Sequence, residues 1–327
     1  MRRLTLILSD LYLPEESRDV AAAPNLEWLL RYANTRQAIA DWRTWVASEL
    51  GYRTEAIQPL ASFTGPAGAW FATPVHLLAA LDHVRLDARG LLTIDRTERG
   101  EWCEAFSRTF GPQYGLHDDG VSGFYLTGLA PAEVRTTDPA RLLGADIASG
   151  LPSGGNAGEL RRLAAEIEMW LHAEELNAAR IRRGTRPVSA LWLWGGGAAA
   201  AIETRTSPRD DIEFFGDDVF VAALARASGK PMRPVPEATA AIAQSAMPAG
   251  HVVVALAPMS SEPRQSLADA DRIWLGTARR AVARGDVLDV VVNDWVVRVS
   301  GRVSWRFWRR RVAWASGLAH PSRGQEA

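Results

Sequence analysis

Four places along the chain combine residue types and spacing that could do chemistry. His76, Asp82 and His83 supply two imidazoles and a carboxylate within a short stretch, and a hairpin joining them would bring three donors onto one divalent ion. The competing reading is a structural histidine in a strand. Gly195, Gly196 and Gly197 follow a short apolar run and could aim backbone N–H groups at an anion. Neither G-x-G-x-x-G spacing nor a Walker Lys-Ser/Thr accompanies them, so room for a tight turn against a sheet is the plainer reading. Asn177 and Arg180, with Arg182 and Arg183, fall at the end of an amphipathic stretch. A guanidinium there can hold a phosphate or carboxylate through two hydrogen bonds, or simply complement the helix dipole. Asp10 closes a first apolar strand. Open α/β sheets place ligands at such strand ends, and acids also serve there as caps.

The elements that must position these groups can be read from periodicity. Leu160, Leu163, Ile167, Trp170, Leu171, Ala178 and Ile181 recur at helical spacing with charges elsewhere, which predicts one amphipathic helix ended by Gly184 and Pro187. Residues 190–194, ALWLW, read as a buried strand of the kind found inside a parallel sheet. Further strands are expected at residues 4–8, 251–257, 287–292 and 295–303, the last two as an antiparallel pair, and helices within 25–50, at 217–228 and at 266–284. Between residues 52 and 155, Gly and Pro punctuate short segments, with a helix near 101–110. The chain therefore reads as a single α/β domain over residues 1–327, with 52–155 as an inserted or flanking subdomain.

Asn177 and Arg180, followed by the Leu-Trp-Leu-Trp-Gly-Gly-Gly run of residues 191–197, resemble the archaeal-type cofactor-independent phosphoglycerate mutases of the alkaline phosphatase superfamily. Residues 74–86 (PVHLLAALDHVRL) and 305–310 (WRFWRR) resemble more closely an uncharacterised bacterial branch of that group, the RpfE-type regulatory proteins. The resemblance implies a three-layer alkaline-phosphatase-like sheet with helices on both faces. It also implies two divalent cations, Mn²⁺ or Mg²⁺, around a phosphorylated Ser or Thr, with Asp10 as a metal ligand after the first strand.

That inventory is incomplete in this sequence. Ser62 and Thr64 are available for the nucleophile's loop but lack an Asn-Ser-Glu-like context, and a turn residue is the alternative. After Gly197 the histidines are His251 and His320, and neither stands in an Asp-x-x-x-His or Asp-His sequence. The one Asp-His pair, Asp82-His83, lies well before the signature strand. The expectation is a degenerate mutase-like protein with a regulatory or ligand-binding role. The alternative is an active metal-dependent mutase or phosphotransferase using Asp10, His76, Asp82 and His83.

Composition sets outer limits. Net charge is −1 and 47% of residues are hydrophobic, which favours no polyanion or membrane partner. The expected partner is a small phosphorylated or carboxylated ligand, with a regulatory protein as a further possibility. Lys230 is the sole lysine and Cys103 the sole cysteine, which excludes Walker or Schiff-base lysine chemistry elsewhere, an internal disulfide and a cysteine metal cage. A reducing cytoplasm is the expected setting, and no run reaches the roughly 18–20 apolar residues of a spanning helix. The acids at 210, 211, 213, 217 and 218 read as a solvated loop with a helix cap. The arginines among aromatic residues at 295–314 read as sheet packing with a solvated face, in preference to a nucleic-acid or membrane grip.

Overall fold

The computed structural model describes residues 2–9, 22–53, 57–130, 133–155, 157–197, 211–235, 237, 250–256, 263–292, 294–301 and 308–314. Asp10, His320, the alanine run at 198–201 and residues 302–307 lie outside them. The chain forms two compact units, one of Met1–Gly51 with Thr206–Ala327 and one of Tyr52–Arg205. Where the sequence suggests a segment closing at residue 155, the second unit runs on through the signature helix and strand.

Among the described residues the strands are, in chain order, β1 (Arg3–Leu8), β2 (Thr35–Ala38), β3 (Trp70–Val75), β4 (Leu77–Ala79), β5 (Val84–Leu86) and β6 (Gly115–Asp118). They continue as β7 (Phe124–Thr127), β8 (Ala190–Trp194), β9 (Ile212–Gly216), β10 (Met232–Arg233), β11 (His251–Leu256), β12 (Val287–Val292) and β13 (Trp295–Val299). The helices are α1 (Pro24–Tyr32), α2 (Trp42–Glu49), α3 (Leu60–Thr64), α4 (Arg96–Phe110), α5 (Ala157–Ala173), α6 (Glu175–Arg182), α7 (Val219–Ala227), α8 (Pro263–Ala270) and α9 (Gly276–Ala283). A π-helical turn, Asp271–Leu275, joins the last two.

The first unit is built on a seven-stranded sheet in the order β10-β9-β11-β1-β12-β13-β2. Its first five strands are parallel, and β13 and β2 are added antiparallel. Side chains alternate along each strand. Leu4, Leu6 and Leu8, with their neighbours in β11 and β12, pack in one cluster with Leu26, Leu29 and Leu30 of α1 and Ala278 and Val282 of α9. Arg3, Asp289 and Arg298 point to the opposite face, where Asp289 is fully buried and paired with both arginines. Arg3 also bonds Glu49 of α2, and Trp42 of α2 meets Phe220 of α7 edge-on at 5.8 Å. Helices therefore cover both faces, giving the three-layer α/β arrangement expected. The π turn has its own use: Asp271, buried within it, accepts from the N–H groups of Asn25 (3.1 Å) and Leu26 (2.8 Å). It thereby caps α1, whose own preceding residue makes no side-chain cap.

The second unit holds a four-stranded antiparallel sheet, β6-β7-β3-β8, and a small β4–β5 hairpin. Trp70, Phe124, Leu126, Leu191 and Leu193 line one sheet face against Trp102 and Phe106 of α4 and Leu163, Ile167 and Trp170 of α5. Trp170 stands edge-on to both Trp102 (5.7 Å) and Phe106 (5.5 Å), a ring geometry that adds to simple area burial.

Three expectations need correction. Among the described residues, the ALWLW strand β8 is the edge of this antiparallel sheet and pairs with β3 alone, so its glycines follow a strand in an antiparallel pair. The single long helix is two, broken at Glu174, whose backbone is extended (φ −73°, ψ 134°). The acidic stretch near 213 is a strand between β10 and β11, with Phe214 and Phe215 fully buried; of that patch Asp218 does cap a helix. No helix among the described residues is long and apolar enough to cross a membrane.

Candidate functional site

In the first unit β9, β11, β1 and β12 are adjacent and parallel, so their carboxyl ends share one edge, the place where such sheets bind ligands. Ser9 ends β1. Its hydroxyl donates to the Leu256 carbonyl at 3.1 Å and is buried, and Asp10 next to it is outside the described residues. Gly216 ends β9 with φ +135°, and a Cβ there would lie 2.1 Å from the Ala255 carbonyl oxygen, so only glycine lets β9 and β11 close up at this point. Asp217 and Asp218 follow. The Asp218 carboxylate accepts from the N–H groups of Phe220 (2.9 Å) and Val221 (3.0 Å), capping α7. Burial pushes its pKa up, against the opposing pull of the Arg43 charge. Arg43 itself is buried beside Trp42, 4.6 Å over the indole ring, and Asp294 follows β12, also buried. Carboxylates and one buried guanidinium thus gather at this edge. Of these, Arg43 and Asp294 carry no signal in the sequence that separates them from ordinary helix and turn residues.

The second unit accounts for Asn177 and Arg180 without a ligand. Asn177 fills the helix break: its amide donates to the carbonyls of Leu171 (2.7 Å) and Val188 (2.9 Å), and its oxygen accepts from Val188 N–H (2.8 Å). It splices α5, α6 and the entry to β8 together. Arg180 is buried and donates from Nη1 to both carboxylate oxygens of Glu98, at 2.7 and 2.8 Å, and from Nε to the Arg186 carbonyl at 2.7 Å. The anion it grips is internal. Sequence reasoning missed Glu98 and the neighbouring buried Asp87, which pairs with Arg89 and Arg186; no local pattern marks either.

Gly195, Gly196 and Gly197 are present as a turn of glycines whose geometry has a packing cause. Gly195 has φ +66°, and a Cβ on Gly196 would come within 2.1 Å of Trp70 Cδ2. The Gly195 N–H donates to Thr136 Oγ1 at 3.1 Å, and its carbonyl accepts from Ala61 N–H at 2.9 Å.

His76, Asp82 and His83 do not converge. His76 Nδ1 lies 3.0 Å from the Pro187 carbonyl and 3.1 Å from Ser189 Oγ. A carbonyl can only accept, so Nδ1 carries the proton. Burial holds this imidazole below its ordinary pKa, with the Pro187 bond and the Asp87 charge opposing. Asp82 and His83 sit at the exposed β4–β5 turn, bonded to each other at 2.6 Å, and that bond lowers the Asp82 pKa. Thr64 Oγ1 accepts from Tyr125 Oη at 3.0 Å and donates back to its own helix. Ser62 Oγ is shielded and has no hydrogen-bond partner among the described residues. No group of three His, Cys, Asp or Glu among the described residues is placed to hold a metal ion. His76 and the Asp82–His83 pair therefore do not form one ligand group.

Comparison with known proteins adds a local relationship. No protein-family model matches the sequence. Over 81 residues, 24% of this chain, it is 35% identical to the 2,3-bisphosphoglycerate-independent phosphoglycerate mutase 2 of Methanothermobacter thermautotrophicus, and the match spans 20% of that relative's length. This is a weak homology to an archaeal cofactor-independent phosphoglycerate mutase. Structural comparison with the cofactor-independent phosphoglycerate mutase of Thermoplasma acidophilum gives a TM-score of 0.43 at 17% identity, covering 98% of this chain and 96% of the other. The PH0037 protein of Pyrococcus horikoshii gives 0.44 at 14% identity, covering 92% and 87%.

Proposed function

We propose that this chain is a phosphoglycerate-mutase-like protein on an alkaline-phosphatase-like scaffold that binds a small phosphorylated or carboxylated ligand in a regulatory role, without two-metal phosphotransfer. The observation that carries this reading is the dispersal of the imidazoles. His76 is tied to Pro187 and Ser189, His83 to Asp82 on a hairpin turn, His117 to Thr127 and His251 to Thr5 within the sheet. A two-cation phosphotransfer centre needs several such donors converging within about 2 Å of each ion. The local homology to a mutase supports the lineage, and the resemblance of residues 74–86 and 305–310 to the RpfE-type branch supports the regulatory role.

Of the ligand-contacting residues expected from sequence, Asp10 is the one we retain, because it directly follows Ser9 at the end of β1. Asn177, Arg180 and Gly195 have internal hydrogen-bond partners. Arg43, although paired with Asp41 at 3.8 Å, brings a positive charge toward Asp218 just after β9. Calorimetric titration with 3-phosphoglycerate in the presence of a chelator tests the reading. Binding that an Arg43→Ala change weakens at least tenfold is the expected result. Heat that appears only on adding Mn²⁺ would favour the active mutase with Asp10, His76, Asp82 and His83 as ligands.

A further inference from the structure

Three stretches far apart in sequence form one cationic, aromatic surface on the first unit. Arg279 of α9 lies over the Trp28 ring of α1 at 4.6 Å, and Trp28 meets Tyr32 at 4.8 Å. Arg31 lies over Tyr32 at 5.1 Å and donates to the Arg309 carbonyl at 2.7 Å. Arg309 in turn donates to the Ala33 carbonyl. The contacts run unbroken from α9 across α1 to residues 308–314, where Trp308 is 67% exposed and Arg310 and Arg311 are exposed beside it. Across α1, α9 and 308–314 there are six arginines against one carboxylate, Glu27. In a chain whose net charge is −1, this is a strong local excess.

We propose that this surface binds the backbone of single-stranded nucleic acid, with Trp308 stacking on a base. The exposed guanidinium groups of Arg310 and Arg311 can meet phosphate oxygens through charge-assisted hydrogen bonds, and an exposed indole among arginines is the element that grips unpaired bases. An anionic membrane fits less well. Trp308 is the only exposed large hydrophobic residue described in this unit, whereas interfacial docking needs an apolar face to insert. On net charge the sequence sets a nucleic-acid grip at 295–314 aside; the fold adds Arg31 of α1 and Arg279 of α9 to the consecutive Arg309, Arg310 and Arg311.

The test is fluorescence anisotropy of the full chain with a labelled single-stranded 20-mer of uridylate, run beside phosphatidylserine vesicles. With about four phosphates neutralised, affinity should fall about 20-fold between 50 and 150 mM salt. Arg310→Glu with Arg311→Glu should weaken binding at least tenfold and flatten that salt slope. Trp308→Ala should weaken binding about fivefold or more while leaving the slope unchanged, a split that a merely structural role does not produce. Circular dichroism would verify that both variants, being surface changes, stay folded. Absence of binding at 50 mM salt, binding to vesicles but not to the oligonucleotide, or wild-type affinity in both variants would overturn the proposal.

Discussion

Replacing Arg180 with methionine should destabilise the second unit and leave any ligand affinity where it was. In the structure the Arg180 and Glu98 side chains are 6% and 10% exposed, with two short hydrogen bonds between them. Removing one member of such a buried pair leaves an uncompensated charge, which costs about 3–5 kcal/mol. Arg183, largely exposed and 3.7 Å from the same carboxylate, can swing toward it, so the lower figure applies, about 3 kcal/mol. For a unit of this size that corresponds to a fall in Tm of about 6–12 °C. Tryptophan fluorescence is a suitable probe of thermal unfolding, because Trp102 Nε1 sits 3.4 Å from Glu98 Oε1. Adding Glu98→Leu to Arg180→Met should restore most of the loss, since two apolar side chains replace the pair without stranding a charge. A Tm within 2 °C of the parent, together with loss of affinity for a phosphorylated ligand, would refute the internal role assigned to Arg180.

Other expectations follow from single contacts. Gly196→Ala should cost about 1–3 kcal/mol in urea unfolding, because its Cβ meets the buried Trp70 indole at 2.1 Å; an unchanged midpoint would show that the turn can relax. His76 has a folded pKa below its ordinary 6.5, so the unfolded chain binds the proton more readily in the window just below that value. Stability linked to His76 is therefore present above about pH 6.5 and declines as pH falls below it. His76→Gln should flatten that part of the pH–stability curve, and an identical curve would count against the burial argument. Cys103 has its thiol pKa raised to about 11 by burial, with the Asp118 charge adding to the shift. Alkylation at pH 8 should be about 100-fold slower than for an exposed thiol and should become fast in denaturant; rapid labelling of the native chain would contradict this placement.

What could be read from the sequence was set by how each element signals itself. β1, β11, β12 and β13 carry their apolar residues openly, and Gly184 ends α6 with φ +70° as expected. β9 was hidden because Asp211, Glu213 and Asp217 surround the two phenylalanines that enter the sheet, and β2 because Thr-Arg-Gln-Ala has one small apolar residue and is exposed throughout. The run at β8 told of burial on two sides but not of the direction of its neighbour, which only β3 supplies. Arg180 looked like a ligand residue because its partner Glu98 lies 82 positions away. Likewise, the Asn177 contacts to Leu171 and Val188 depend on a helix break that periodicity runs straight through.

The most direct test of the central claim is a phosphoglycerate mutase assay with added Mn²⁺, paired with elemental analysis of the purified chain and an Asp10→Ala control. No interconversion above the control, with no stoichiometric metal in a folded sample, is the predicted result. Metal-dependent turnover that disappears in Asp10→Ala would contradict it, showing that the dispersed donors do assemble a working two-cation centre.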